Sequence, residues 1–245
     1  MMKRGLVISY LHCGHLLGLT PPRWQTEDVQ RDLWKWYVDT VQANGPYDFL
    51  ICNGDAVDGI GRKETHEHGT TDTNKQVREA IECIDVAGEC DRYFTLGTPY
   101  HVTNNAELEE QLATHFQAPA KSIINLSVNG CLINAKHTTS KTSIPHGQGL
   151  VLKQALWELV HAGTTGTEPP DIIIRSHIHE YVYIDSPLGC IITTPALQIG
   201  DTSYGRKFSG YYDVGITVIE INEKKEFSVN KHIYRYKKSN EVITI

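Results

Sequence analysis

Five short apolar runs, each passing straight into a loop that carries histidine or aspartate, constrain this chain more than any other feature. Residues 5–9 (GLVIS) lead to His12, residues 47–52 (YDFLIC) to Asp55 and Asp58, and residues 92–96 to His101. Residues 130–135 lead to His137, and residues 171–175 to His177 and His179. Runs this short and this apolar read as strands buried on both faces. Between the first three, residues 26–43 carry Val29, Leu33, Trp36, Tyr37, Thr40 and Val41 at helical spacing, and residues 75–87 read as a second helix. A β-α-β-α-β order predicts a parallel sheet covered by helices, with polar residues gathered at the carboxyl ends of the strands.

The second half is richer in strands. Residues 148–162 read as a helix, residues 181–184 and 189–193 as a hairpin around Ser186-Pro187, and residues 211–221 and 226–236 as a C-terminal β-hairpin of alternating pattern. No repeat or linker divides the chain, so residues 1–245 are expected to form one domain.

Composition narrows the function classes. With 40% hydrophobic and 21% charged residues over 245 positions, the chain has an ordinary globular composition and enough length for a substantial core. A net charge of −6 argues against a grip on long nucleic acid. It leaves room for a small phosphorylated ligand, because metal ions can supply positive charge inside a site. None of the six cysteines forms a C-x-x-C pair, and several lie in apolar runs, which reads as a reducing, cytoplasmic setting. The start, MMKRGLVISYLHCGH, lacks the apolar core and cleavage site of a secretory leader, and no stretch approaches the roughly 18 apolar residues of a membrane span.

The polar residues after the strands carry the chemistry. His177 and His179 are two apart, so on an extended segment they face the same way, which a metal explains more readily than packing does. Asp55 is either a turn residue or a ligand. His15, His115, His161 and His232 read as background, and the cluster of Trp24, Trp34, Trp36 and Tyr37 as core packing.

Taken in order, these segments resemble the calcineurin-like metallophosphoesterase family, whose pattern is D-x-H, G-D-x-x-D, G-N-H, a lone His and G-H-x-H. The matching segments are Leu11-His12-Cys13-Gly14-His15, Gly54-Asp55-Ala56-Val57-Asp58-Gly59, Gly97 to His101, His137, and Ser176-His177-Ile178-His179. The resemblance spans roughly residues 5–200 and is closest in wording to phage- or prophage-encoded members, which implies the cytoplasm of a bacterial or infected cell.

It further implies a four-layer αββα sandwich and hydrolysis of a phosphate mono- or diester, nucleotidic esters included, by a hydroxide bridging two divalent ions (Mn, Fe, Ni or Zn). Carried over residue by residue, His12 and His179 would ligate the first metal, His137 and His177 the second, and Asp55 would bridge them. His101 would protonate the leaving oxygen or bind the second metal. Asn53 and Asp58 would hold the ligands by hydrogen bonds. Arg62, Lys63, His66 and His68 form either a solvated loop or a substrate entrance where a cation meets phosphate, and His146 is equally open.

The chain departs from the pattern at three places. Tyr10 stands where the first metal normally receives a carboxylate. A phenol with an ordinary pKa near 10 is a poor ligand for most divalent ions, and its bulk can fill the metal position. Either the first site is weak or empty, or Tyr10 is itself a ligand, or the position disables the scaffold. Thr98 replaces the Asn ligand, and Ser176 replaces the glycine before His177. The rival to a hydrolase is therefore a phosphate-ligand or nucleotide-binding protein on the same scaffold, weak or inactive in catalysis.

Overall fold

The structure, a computed structural model, describes residues 1–60, 67–98, 108–139, 168–187, 189–202 and 212–236. The helix expected over 148–162, together with Arg62, Lys63, His66, His101 and His146, lies outside the described residues. The elements are β1 (Lys3–Ile8), α1 (Asp28–Asn44), β2 (Phe49–Asn53), α2 (Thr73–Asp85), β3 (Asp91–Thr95), α3 (Leu108–His115), β4 (Ala120–Lys121), β5 (Ile124–Val128), β6 (Cys131–Ala135), β7 (Ile172–Arg175), β8 (Val182–Ser186), β9 (Gly189–Thr193), β10 (Val214–Ile221) and β11 (Phe227–Tyr234).

They build two facing sheets, ordered β11-β10-β1-β2-β3-β4 and β5-β6-β7-β9-β8. Strands β1 to β4 run parallel, as do β6, β7 and β9, while the flanking strands pair antiparallel. The period of two in a strand divides the core. Leu6, Ile8, Leu50 and Cys52 pack toward the helices with Leu33, Tyr37 and Ile84, whereas Val7, Phe49 and Ile51 meet Ile133, Ile172, Ile174 and Ile192 of the second sheet. Each fully buried aliphatic side chain contributes roughly 1.5–3 kcal/mol, so both interfaces of the first sheet are strongly specified. Trp34 and Trp36 pack against the helix-side core, with Trp36 5.4 Å from Tyr234 between ring centroids.

Differences from the sequence reading have local causes. Helix α2 begins at Thr73 because Asp72 accepts hydrogen bonds from the N–H groups of Asn74 and Lys75, an N-cap that moves the start forward. The short elements α3, β4 and β5 were not anticipated. Strand β5 buries only its ends, Ile124 and Val128, and joins β6 through Asn129-Gly130, both with positive φ as a tight hairpin turn requires. All six cysteines are free. Among the described residues, no helix is long and apolar enough to cross a membrane.

Candidate metal centre

The carboxyl ends of β1, β2, β3, β6, β7 and β9 come together. Tyr10 and His12 follow β1, Asp55 follows β2, Thr98 follows β3, His137 follows β6, and His177 and His179 follow β7. The backbone there is unusual. Tyr10, His12, Asp55, His177 and His179 have φ of 53°, 43°, 52°, 72° and 58°. They are five of the eight non-glycine residues with left-handed backbone among the described residues, and the other three (Gln117, Asn129, Lys225) lie outside these loops. Such conformations cost on the order of 1 kcal/mol or more each, and they persist only where the surroundings hold them.

The loops are stitched together by main-chain hydrogen bonds. Tyr10 N–H donates to Gly54 O (3.2 Å) and His12 N–H to Asp55 O (3.2 Å), which sets the β1 loop against the β2 loop. A buried chain of side chains ties the sheets together at the same level. Thr95 Oγ1 donates to Asn53 Oδ1 (2.9 Å), Asn53 Nδ2 donates to Ser176 Oγ (2.7 Å), and Thr194 Oγ1 lies 2.6 Å from both Ser176 Oγ and Ser9 Oγ. Ser176 is thus a node of this network, and Thr194 and Ser9 have no motif that would single them out.

His137 Nδ1 is 2.8 Å from the Asn53 carbonyl and must donate to it. Its Nε2 is therefore the nitrogen turned to Asp55 Oδ2 (3.1 Å), Thr98 Oγ1 (3.1 Å) and Tyr10 Oη (3.3 Å). Burial alone would lower the imidazole pKa. The charge and hydrogen bond of Asp55 outweigh it and hold His137 above its ordinary value. Thr98 grips Asp55 twice, through its N–H on Oδ1 (2.6 Å) and its hydroxyl on Oδ2 (3.1 Å). The backbone leaves no slack here. A Cβ at Gly54, whose φ is +80°, would lie 2.3 Å from His137 Nδ1, and one at Gly97 would lie 2.3 Å from Asp55 Oδ1.

On the other side, His12 Nδ1 is 3.0 Å from Asp58 Oδ1, and His68 Nδ1 is 2.7 Å from Asp58 Oδ2. Burial would raise Asp58, but the contacts from His12 and His68 prevail and hold it well below the usual carboxylate range. His68, grouped with the loop residues in the sequence, is turned inward against this carboxylate. His15 is a satisfied interior histidine. It accepts the Leu17 N–H (3.0 Å), and burial pushes it down to about 4. Gln76, which sequence reasoning passed over, locks the Asp58 loop by accepting from Gly59 N–H and donating to Gly59 O and Thr70 O.

Tyr10 occupies the middle of the histidines. It is 1% exposed, and its ring centroid lies 5.6 Å from His12, 5.1 Å from His137 and 4.0 Å from His179. Tyr212 meets the His179 ring at 4.3 Å, so His179 contacts two tyrosine rings. The His137 and His177 rings are 5.7 Å apart. Glu109 is a further carboxyl near Asp55. It is buried at the first turn of α3, and burial together with the charge of Asp55 pushes it up to about 7.

Among the described residues no three His, Cys, Asp or Glu side chains already converge as a metal-binding group. Asp55 and His137 are instead engaged with one another, with Thr98 and with Tyr10. The pair suits a transition metal, since an anionic oxygen sits beside an imidazole whose second nitrogen is fixed by a carbonyl. His12, similarly fixed by Asp58, meets the Tyr10 ring before it meets His179. By donor chemistry the residues present therefore fit a cation between Asp55 and His137, within reach of the Tyr10 hydroxyl, and not between His12 and His179, where the Tyr10 ring stands.

No family model matches the chain, and no curated protein matches it. Solved structures do. Vps29 from Entamoeba histolytica, as a single-substitution variant, aligns with a TM-score of 0.52 at 11% identity, covering 95% of this chain and 100% of that one. The wild-type protein from the same organism, complexed with zinc, gives 0.52 at 12% identity over 94% and 99%. Vps29 from Cryptosporidium parvum gives 0.50 at 10% identity over 96% and 99%. Likeness at this identity concerns the backbone alone, and it shows that the chain has the two-sheet α/β sandwich of the calcineurin-like metallophosphoesterase fold.

Proposed function

We propose that this chain is a metal-dependent phosphoesterase that works with a single divalent transition metal, held by Asp55, His137 and His177. The observation that carries the reading is the fixed ring of His137. With Nδ1 committed to the Asn53 carbonyl, only Nε2 is available as a donor, and it lies 3.1 Å from an Asp55 carboxylate oriented by two hydrogen bonds from Thr98. A bound cation would supply Lewis acidity toward a phosphoryl oxygen and acidify water.

The remaining work falls to the chain. Asp55 and the imidazoles would hold the ion, and Thr98 keeps Asp55 in place. The buried Asn53–Ser176–Thr194 network steadies the His177 loop. His101, which follows β3 in sequence, is proposed to protonate the leaving oxygen. Small phosphorylated or nucleotidic esters are the proposed substrates, because a net charge of −6 argues against long nucleic acid while a bound cation can still meet a small phosphate.

One observation favours a second reading. The Tyr10 ring lies among His12, His137 and His179, where the first metal of a binuclear site would be held. A scaffold so altered can bind a phosphate ligand without turnover. Metal-stripped protein, resupplied with Mn, Ni or Zn and assayed on bis(p-nitrophenyl) phosphate and p-nitrophenyl phosphate, separates the two. The hydrolase reading expects metal-dependent turnover that falls on the order of 100-fold or more in Asp55→Asn. Calorimetric binding of inorganic phosphate with no turnover under any metal would establish the binder instead.

A further inference from the structure

We infer that the Tyr10 hydroxyl is an oxygen ligand of the cation proposed between Asp55 and His137. Three atoms there close a triangle: His137 Nε2, Asp55 Oδ2 and Thr98 Oγ1 are each 3.1 Å from the other two. Tyr10 Oη stands 3.3 Å from the Nε2 corner. Donors that share one cation at roughly 2.1 Å lie about 3.0–3.4 Å apart, whether the shell is octahedral or tetrahedral. The spacing of these atoms falls in that range. Hydrogen bonds alone serve the cluster poorly. His137 Nδ1 donates to the Asn53 carbonyl, and the Thr98 hydroxyl donates to Asp55. Nε2 thus faces a carboxylate oxygen, with a second hydroxyl beside it. A proton on Nε2 can be given to one of these oxygens, whereas a cation serves all of them at once.

The aim of the Tyr10 side chain is fixed by its surroundings. Its backbone is left-handed (φ 53°), its N–H donates to Gly54 O (3.2 Å), and its carbonyl accepts from the Leu197 N–H (3.1 Å). The ring is 1% exposed and is packed against His12 and His179. An ordinary phenol pKa near 10 makes an exposed tyrosine a poor partner for a divalent ion. A cation held against the hydroxyl changes this, as it lowers the pKa of bound water from about 15.7 to about 7–9. On coordination the phenol O–H bond breaks, the proton goes to solvent, and the oxygen lone pair goes to the cation. One residue then has two consequences: its ring fills the place of a first metal, and its oxygen serves the other.

This inference rests on the reading of Asp55 and His137 as metal ligands, and the test separates the two. Zinc and manganese binding to metal-stripped full-length protein is measured by calorimetry for the parent, Tyr10→Phe and Asp55→Asn. The parent and Tyr10→Phe are also loaded with ferrous iron and oxidised in air, because phenolate on ferric iron gives a visible charge-transfer band that carboxylate and imidazole do not. Tyr10→Phe keeps the ring and removes only the oxygen. It is expected to lose about tenfold or more in zinc and manganese affinity and to lack the band that the iron-loaded parent shows. Equal affinities in the parent and Tyr10→Phe, or an iron-loaded parent without the band, would overturn the inference, and a loss in Asp55→Asn would still uphold the metal reading. The band in the parent decides the matter if Tyr10→Phe does not fold. A band in the parent with unchanged affinity in Asp55→Asn would uphold Tyr10 and sink the reading of Asp55. A parent that binds none of the three metals would overturn both.

Discussion

His137 owes its role to what lies behind it. The Asn53 carbonyl fixes Nδ1 at 2.8 Å, and Gly54 leaves the ring just enough room. Gly54→Ala would place a methyl carbon 2.3 Å from Nδ1 and force an L residue to φ +80°. We expect a cost of about 1–3 kcal/mol in urea unfolding, together with weakened metal binding. An unchanged unfolding midpoint would mean that the turn is looser than described. Residues of this kind were partly legible. Asp55, His137, His177 and His179 stand at strand ends, where sequence alone points to function. Thr194 and Ser9 could not be read, because their importance comes from register between strands far apart in the chain. Tyr10 was legible as a departure from a pattern, but only packing reveals that its ring lies among three histidines.

Helix α2 links core and centre. It sends Gln76 to the Asp58 loop and buries Glu79 on the side of the core that holds Cys83 and Ala80. Glu79 also faces Lys75 at 3.9 Å, with Glu82 on the same helix, and its Oε2 has no hydrogen-bond partner. Burial is the main cause that pushes its carboxyl from 4.5 up to about 7, with Lys75 opposing. The folded protein therefore keeps this proton to about pH 7, whereas the unfolded chain releases it near pH 4.5. Its contribution to stability is fully present below pH 4.5 and is lost as pH rises through about 7. Glu79→Gln should then gain in Tm relative to the parent as pH rises, with a larger difference at pH 8 than at pH 4. A difference independent of pH would refute the account of Glu79. At this scale α1, α2 and the parallel strands were readable from apolar period and length. The two-residue β4, the half-polar β5 and the eight-residue α3 were not, because elements so short are set by tertiary pairing.

At the scale of the whole molecule, two sheets deliver their strand ends to one place, and the fold matches Vps29 structures at 10–12% identity. The β-α-β-α-β order made the parallel first sheet foreseeable from apolar runs, whereas the two-sheet sandwich was implied by the family resemblance of the strand-end motifs. What the fold leaves to individual residues is the number of metals the centre can hold. On the proposed reading, the Tyr10 ring, 1% exposed among His12, His137 and His179, takes the space of a first metal. Native mass spectrometry of the manganese- or zinc-loaded parent and of Tyr10→Asp tests this most directly. A single metal in the parent and two in Tyr10→Asp is the predicted result. Two metals in the parent, or no second metal in Tyr10→Asp, would contradict it.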